Sequence, residues 1–411
     1  MVTLYLGFLR TTIFRVWIVV SVLCMTVAVS SCSSDNSADE PTSVINEPVE
    51  HTLFMYLPWS TDLTVFFQQN IIDMEQSIIK QGGLKDQRVV VFMSTSATEA
   101  KMFEITYSKG SCIRRDIKTY TCPLLTTTDG ISAILSDVVA SAPARHYAMT
   151  IGCHGMGWLP VNPISRMLIA DDATMHWDYR ASLLTRYFGG RDKEHQTDIS
   201  TLADAIKTSG LKMDYILFDD CYMATVEVAY ELKDVTDHLV ASTCEVMAYG
   251  MPYALMGQYM MGEPDYEAMC REFYGFYSTY DVMPCGTLSV TDCSQLDALA
   301  SVMKDINQTY VFNQSDVSSL QALDGYAPTI FYDYGDYVDH LVDAADTERL
   351  NAFQRQLSLT VPYKVNTPTY YAARTGRPMP IHTYSGLTIS DPSVNSQTAD
   401  KNNTAWFKAT H

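Results

Sequence analysis

The 411-residue chain is poor in positive charge: 28 Lys and Arg stand against 47 Asp and Glu, for a net charge of −19. No run or stripe of basic residues occurs, which excludes the electrostatic footprint of a nucleic-acid binder. An acidic surface aids solubility and attracts cationic partners within about a Debye length. The chain has no Gly-x-Ser-x-Gly, so a serine hydrolase is not expected. No His, Cys or Asp spacing matches a zinc site, and no metal ligand is assigned. No repeat with a period of about 20–50 residues is visible, which excludes a solenoid. Apolar residues nevertheless make up 47% of the chain. That suits one large or two smaller cores, and nothing points to disorder or a dense disulfide scaffold.

The N-terminus carries an address. Arg10 and Arg15 precede an apolar run, Val16 to Val29, broken only by Ser21 and Thr26. The run is too short and wrongly flanked for a membrane span. It reads as a secretory signal over residues 1–31. It ends in Val29-Ser30-Ser31-Cys32, which looks like a bacterial lipobox with Cys32 as the lipidated residue. Residues 32–50 are polar, acidic and Pro-containing, and read as a flexible tether. Of the ten cysteines, Cys24 and Cys32 fall in this region. Among the rest, Cys153, Cys221 and Cys244 lie at the ends of apolar runs, where a buried free thiol is the commoner state. No disulfide framework is expected.

From residue 51 onward, strand-like and helix-like segments alternate. Thr52 to Leu57, Arg88 to Met93, Tyr147 to Cys153, Tyr215 to Phe218 and Leu239 to Thr243 are short apolar runs. Leu63 to Ile79 has apolar residues at helical spacing (Val65, Phe66, Ile72, Ile79), and Ile131 to Val139 reads as a second helix. Lys101 to Tyr107 and Cys112 to Thr119 alternate like an antiparallel excursion. Short buried strands between helices predict a mostly parallel sheet covered on both faces. Residues 185–198 are polar with Gly-Gly and read as an exposed loop. After about residue 295 the pattern turns mainly helical, with a late strand over Thr383 to Ser390.

In such sheets, sites form at the carboxyl ends of strands. Two ends stand out. One places His154 and Gly155 after Tyr-Ala-Met-Thr-Ile-Gly-Cys, and the other places Cys221 after Tyr-Ile-Leu-Phe-Asp-Asp, where it is expected to open an amphipathic helix. A thiol at a helix N-terminus gains thiolate character. A histidine within reach can act as general acid for a leaving amine. Glycine beside the histidine lets a substrate carbonyl approach main-chain N–H groups, so Gly155 and Cys221 are the candidate oxyanion donors. Strand alternation puts Asp219 on the Cys221 side and Asp220 on the other. A carboxylate there raises the thiol pKa unless a substrate cation cancels it, so Asp219 is the candidate reader of Arg or Lys.

Two stretches, Ile151 to Trp158 and Asp214 to Lys233, resemble the His and Cys motifs of the clostripain-like cysteine peptidases, in that family's order. His51 to Leu63, Val240 to Tyr253 and Tyr384 to Ser390 are similar to its other segments, so the resemblance spans about residues 51–411. It implies an α/β protein with a caspase-like α/β/α sandwich, a mostly parallel central sheet and a smaller C-terminal helical and strand extension. The peptidase domain would cover 51–295, and 296–411 would be the C-terminal part of the same fold or a subdomain. The resemblance implies a His154/Cys221 dyad, a thioester intermediate and cleavage after Arg or Lys, with Asp219 matching the family's acidic specificity position. Some members cut themselves between His and Cys, which makes Arg180, Arg186, Arg191 and Lys193 candidate self-cleavage points. No cofactor is implied beyond a calcium dependence that has no place in the sequence. Asp220 departs from the small residue usual before the Cys. The expected partners are Arg- or Lys-containing peptides and a membrane reached through the lipid, with the protein exported to the outer membrane or cell surface. The alternative is a catalytically silent, peptide-binding surface lipoprotein with the same fold.

Overall fold

The computed structural model describes residues 47–161, 188–190 and 193–411. The signal segment, Cys32 and nearly all of the tether lie outside these residues. Among the described residues no helix is long and apolar enough to cross a membrane.

The chain starts with β1 (Val49–Leu57), α1 (Thr64–Lys80) and β2 (Gln87–Ser94), followed by the hairpin β3 (Glu99–Ser108) and β4 (Ser111–Thr121). Next come α2 (Thr128–Ser141), β5 (Ala144–Gly152), and the two-residue strands β6 (Phe188–Gly189) and β7 (Gln196–Thr197). Then follow α3 (Ile199–Thr208), β8 (Met213–Asp219), α4 (Val226–Leu232), β9 (Thr236–Ala241), α5 (Tyr253–Met260), α6 (Tyr266–Tyr277) and β10 (Thr287–Asp292). The remainder holds α7 (Leu296–Thr309), β11 (Tyr332–Asp333), α8 (Tyr334–Leu341), α9 (Thr347–Thr360), β12 (Tyr363–Asn366), β13 (Thr369–Ala372), β14 (Arg377–Pro380), β15 (Thr388–Ile389) and α10 (Ala405–Thr410).

Nine strands form one sheet in the order β12-β10-β9-β8-β5-β1-β2-β3-β4. The five central strands, β9 to β2, run parallel, and antiparallel pairs finish both edges. The central runs are apolar on both sides because both sides are covered. On one side, Phe54, Phe92, Ile151 and Phe218 pack against Ile131 and Leu135 of α2, Leu202 of α3 and Val228 of α4. On the other, Met55, Val91 and Leu217 pack against Phe67, Ile71 and Met74 of α1, Met256 of α5 and Phe273 of α6. The edge strand β4 is studded with charge: Arg114 grips Glu75 with two hydrogen bonds, and Lys118 meets Asp137 at 2.6 Å. Charges of this kind blunt an edge against unwanted pairing.

The structure corrects two of the sequence expectations here. The buried stripe of α1 is Phe67, Asn70, Ile71, Asp73, Met74, Ser77 and Ile78, while Val65 is 72% exposed and Ile72 and Ile79 are exposed too. Apolar residues alone rotated the helix, because its inner face includes three polar side chains, Asn70, Asp73 and Ser77. Asn70 donates to the Tyr249 carbonyl and Asp73 accepts from the Tyr249 hydroxyl. The late strand over Thr383 to Ser390 shrinks to β15, paired with β11. All eight described cysteines are free; Cys122 is exposed just past β4, Cys112 is half-buried and six are buried.

Candidate active site

Strands β5 and β8 lie side by side in parallel, and Gly152 pairs with Asp219. His154 and Cys221 therefore stand two residues beyond the same rung. The alternation that sends Ile151, Cys153 and Phe218 toward one layer sends Leu217 and Cys221 toward the other. Asp219 shares the parity of Cys221, as expected. Its carboxylate accepts the Met251 N–H at 2.9 Å. Asp220 faces the opposite way and accepts the Cys153 N–H at 2.5 Å and its Sγ–H at 3.3 Å. The acidic residue before the cysteine thus ties the ends of β5 and β8 together.

Gly155 is required by this closeness. A Cβ there would stand 2.4 Å from the Cys221 carbonyl oxygen and 3.0 Å from its nitrogen. The neighbouring strand end fills the side of Gly155 that a side chain would occupy, which brings the two candidate oxyanion donors close together.

Cys221 does not open a helix. Helix α4 begins at Val226, capped by Thr225, whose hydroxyl accepts the Val228 N–H. Between them Tyr222 adopts φ +61° and stacks on Phe331. The macrodipole argument therefore fails. The thiol receives the Val246 N–H at 3.3 Å. Burial pushes the Cys221 thiol well up, Glu245 adds to this, and the Val246 N–H pulls the other way. Glu245 itself accepts the Tyr222 hydroxyl at 2.6 Å and the Ala373 N–H at 3.0 Å. Sequence reasoning missed Glu245, although it follows Cys244 at the end of an apolar run.

A cavity of about 20 Å³ borders Cys221. Asp219, Asn70, Phe67, Met247 and Gly250 are among the groups that line it. Burial pushes the Asp219 carboxyl up to about 7, against the pull of the Tyr253 hydroxyl and the Met251 N–H. A buried carboxyl of that kind is poised to ionise when a cation arrives.

His154 is fully buried. Its Nε2 lies 2.8 Å from Asp62 Oδ1, a partner that sequence reasoning did not find. Its main chain exchanges hydrogen bonds with Gly189, at 3.1 and 3.2 Å. The segment expected to be an exposed loop thus contributes a hairpin, β6 with β7, whose Gly189, Gly190, Gln196 and Thr197 are buried. Of the candidate self-cleavage points, Arg180, Arg186 and Arg191 lie outside the described residues. Lys193 begins the short turn Lys193–His195 before β7. Among the described residues no three His, Cys, Asp or Glu side chains are grouped to hold a metal ion.

A parallel sheet between two helical layers, with an imidazole and a thiol on adjacent strand ends, is the layout of a caspase-like cysteine peptidase. The clostripain family model matches residues 55–364, and the chain belongs to that family of cysteine peptidases. No curated protein matches it. Among solved structures, a secreted C11 cysteine protease from Bacteroides thetaiotaomicron, "iotapain", is 53% identical, with a TM-score of 0.81 over 89% of this chain and 99% of that one. A clostripain from the same organism, in complex with the peptide inhibitor BTN-VLTK-AOMK, is 58% identical over 55% of this chain and 99% of its own, with a TM-score of 0.54. An inactive zymogen protease from Parabacteroides distasonis is 25% identical, with a TM-score of 0.72 over 90% of this chain and 100% of that one.

Proposed function

We propose that the chain is an exported endopeptidase that cleaves after Arg or Lys, with Cys221 as nucleophile, His154 as proton carrier and Asp219 as the reader of the basic side chain. The observation that carries this reading is the cavity beside Cys221, with a buried acidic group, Asp219, in its lining. At about 20 Å³ the cavity has room for about one water, so the loop after β9 must give way before a guanidinium or ammonium meets this carboxyl, two residues from the nucleophile. The related clostripain supports the lysine side of the preference, because its inhibitor ends in K before the reactive group.

The chemistry follows from a thiol held protonated at rest by burial and carboxylates. The Sγ–H proton passes to His154 as Sγ attacks the scissile carbonyl carbon. The oxyanion that forms is met by the main-chain N–H groups of Gly155 and Cys221. As the C–N bond breaks, the imidazolium returns its proton to the leaving amine, and a thioester remains on Cys221. Water then attacks the thioester carbonyl, His154 takes a proton from that water, and the thiol is regenerated as the acid departs. The substrate cation offsets the field of Asp219 and so favours thiolate only when the right side chain is bound.

The secreted relative supports export, and Cys32 is the proposed lipid attachment point. The Cys32→Ser protein should leave the detergent phase for the soluble fraction, and unchanged partitioning would refute the anchor. An Arg- or Lys-directed acyloxymethyl ketone should add one inhibitor-derived group to the peptide bearing Cys221, read by mass spectrometry. No adduct on the folded protein, or an adduct elsewhere, would overturn the assignment in favour of a silent binding protein.

A further inference from the structure

We infer that Asp62 is a positioning residue for His154, holding the ring by Nε2 so that Nδ1 is the nitrogen that exchanges protons with thiol and leaving amine. This inference rests on the roles of His154 and Cys221 proposed above. The Nε2–Oδ1 separation is 2.8 Å, and the imidazole is fully buried while Asp62 keeps 27% exposure. A carboxylate accepts from Nε2–H and cannot donate in its charged form, so the pairing selects the tautomer with its lone pair on Nδ1. Once the thiol proton has moved to the ring, the same carboxylate faces an imidazolium and stabilises it without taking the proton itself.

Three features of the loop between β1 and α1 argue against a merely local role for Asp62. An aspartate just before a helix ordinarily caps it. Here the cap position belongs to Leu63 and no side-chain cap bond forms. The helix therefore lacks the usual cap while the one carboxylate available for it meets the histidine. Thr61 adopts φ +64°, a left-handed conformation that a β-branched residue takes only under constraint. Strain of this kind collects where the surrounding structure over-determines a functional geometry. The turn is tightened by the Asp62 N–H donating to the Ser60 carbonyl at 2.7 Å. Finally, β1 is the direct neighbour of β5, with Tyr56 paired to Ile151. The loop leaving β1 thus emerges at the sheet edge where β5 delivers His154, although 92 residues separate the two in sequence.

The test uses the full-length protein carrying Asp62→Asn or Asp62→Ala, with kcat and KM for an Arg substrate measured against pH. The Ala variant should lose about 100–1,000-fold in kcat with KM little changed, as for an orienting carboxylate of a proton carrier. The Asn variant keeps the shape and loses the charge. Its acidic limb should move to lower pH, because an imidazole without a neighbouring carboxylate takes up a blocking proton less readily. Asp62→Glu should restore the limb toward its wild-type position. A purely structural role would lower the melting temperature and leave that limb in place. If Asp62→Ala does not fold, the Asn variant decides. A wild-type kcat and limb in the Asn variant, with His154→Ala inactive, would overturn the role of Asp62 alone. Turnover surviving in His154→Ala would overturn the reading of the site itself.

Discussion

Cys153 and Asp220 face the layer of α2, α3 and α4, whereas Cys221 and Asp219, one residue away along the same strand ends, have the opposite parity. In the first pair the carboxylate takes both the N–H and the Sγ–H of the cysteine, so thiol and acid satisfy each other. In the second pair the two groups are kept apart. Asp219 is held by Met251 and Cys221 by Val246, both from the loop after β9. The same two side-chain types thus build a buttress on one face of the sheet and a reactive edge on the other. What separates them is parity along the strand and whether the carboxyl is spent on the thiol.

Substituting each thiol should break the comparison most visibly. Cys221→Ala should lose about 1,000-fold or more in turnover, while Cys153→Ala should stay within a few-fold of wild type. Equal losses in kcat/KM on an Arg peptide would show that the two thiols are not distinguished as argued. The carboxylates come next. Asp219→Asn should narrow the Arg-to-norleucine ratio of kcat/KM by about 30-fold to several thousand-fold, the equivalent of about 2–5 kcal/mol for an unpaired buried partner. The Asp219 carboxyl is pushed up to about 7 by burial. The wild-type Arg preference should therefore fade as pH falls through that value, and the Asn variant should lose this dependence. A ratio that is flat with pH in the wild type would place the basic specificity elsewhere. The effect on folding carries the opposite sign. An acid whose folded pKa is raised favours the folded state below its ordinary pKa, and that contribution is lost as pH rises through about 7, so urea midpoints should fall between pH 5 and 8 by less in Asp219→Asn than in wild type. The smallest change is expected from the buttress. Asp220→Ala leaves the buried Cys153 N–H without its acceptor and should cost about 1–3 kcal/mol in denaturant unfolding. Its Arg-to-norleucine ratio should be unchanged, and a shifted ratio would mean that Asp220 also reads substrate.

The parallel core was legible because buried strands with both faces covered are short apolar runs, and their ends point to sites. Parity along Tyr215 to Cys221 also separated Asp219 from Asp220 before any coordinates. The rest depended on contacts remote in sequence. Asp62 would be read as a cap for α1, since nothing nearby announces His154 as its partner. The start of α4 was misplaced because Tyr222 leaves the helical region, although Thr225 is an ordinary N-cap residue. The inner face of α1 was misread because Asn70 and Asp73 are buried against a loop about 180 positions away.

Cys122 bears on how this protein would be handled at the bench. It is exposed, whereas Cys221 is 2% exposed. A generic alkylating reagent meets Cys122 first, so a thiol titration counts polypeptide rather than competent sites. Only a reagent directed by a basic side chain separates the two populations. A Cys122→Ser background gives the count a clean baseline. Under air, two copies joined through Cys122 would also run as a dimer on a non-reducing gel without sharing any interface.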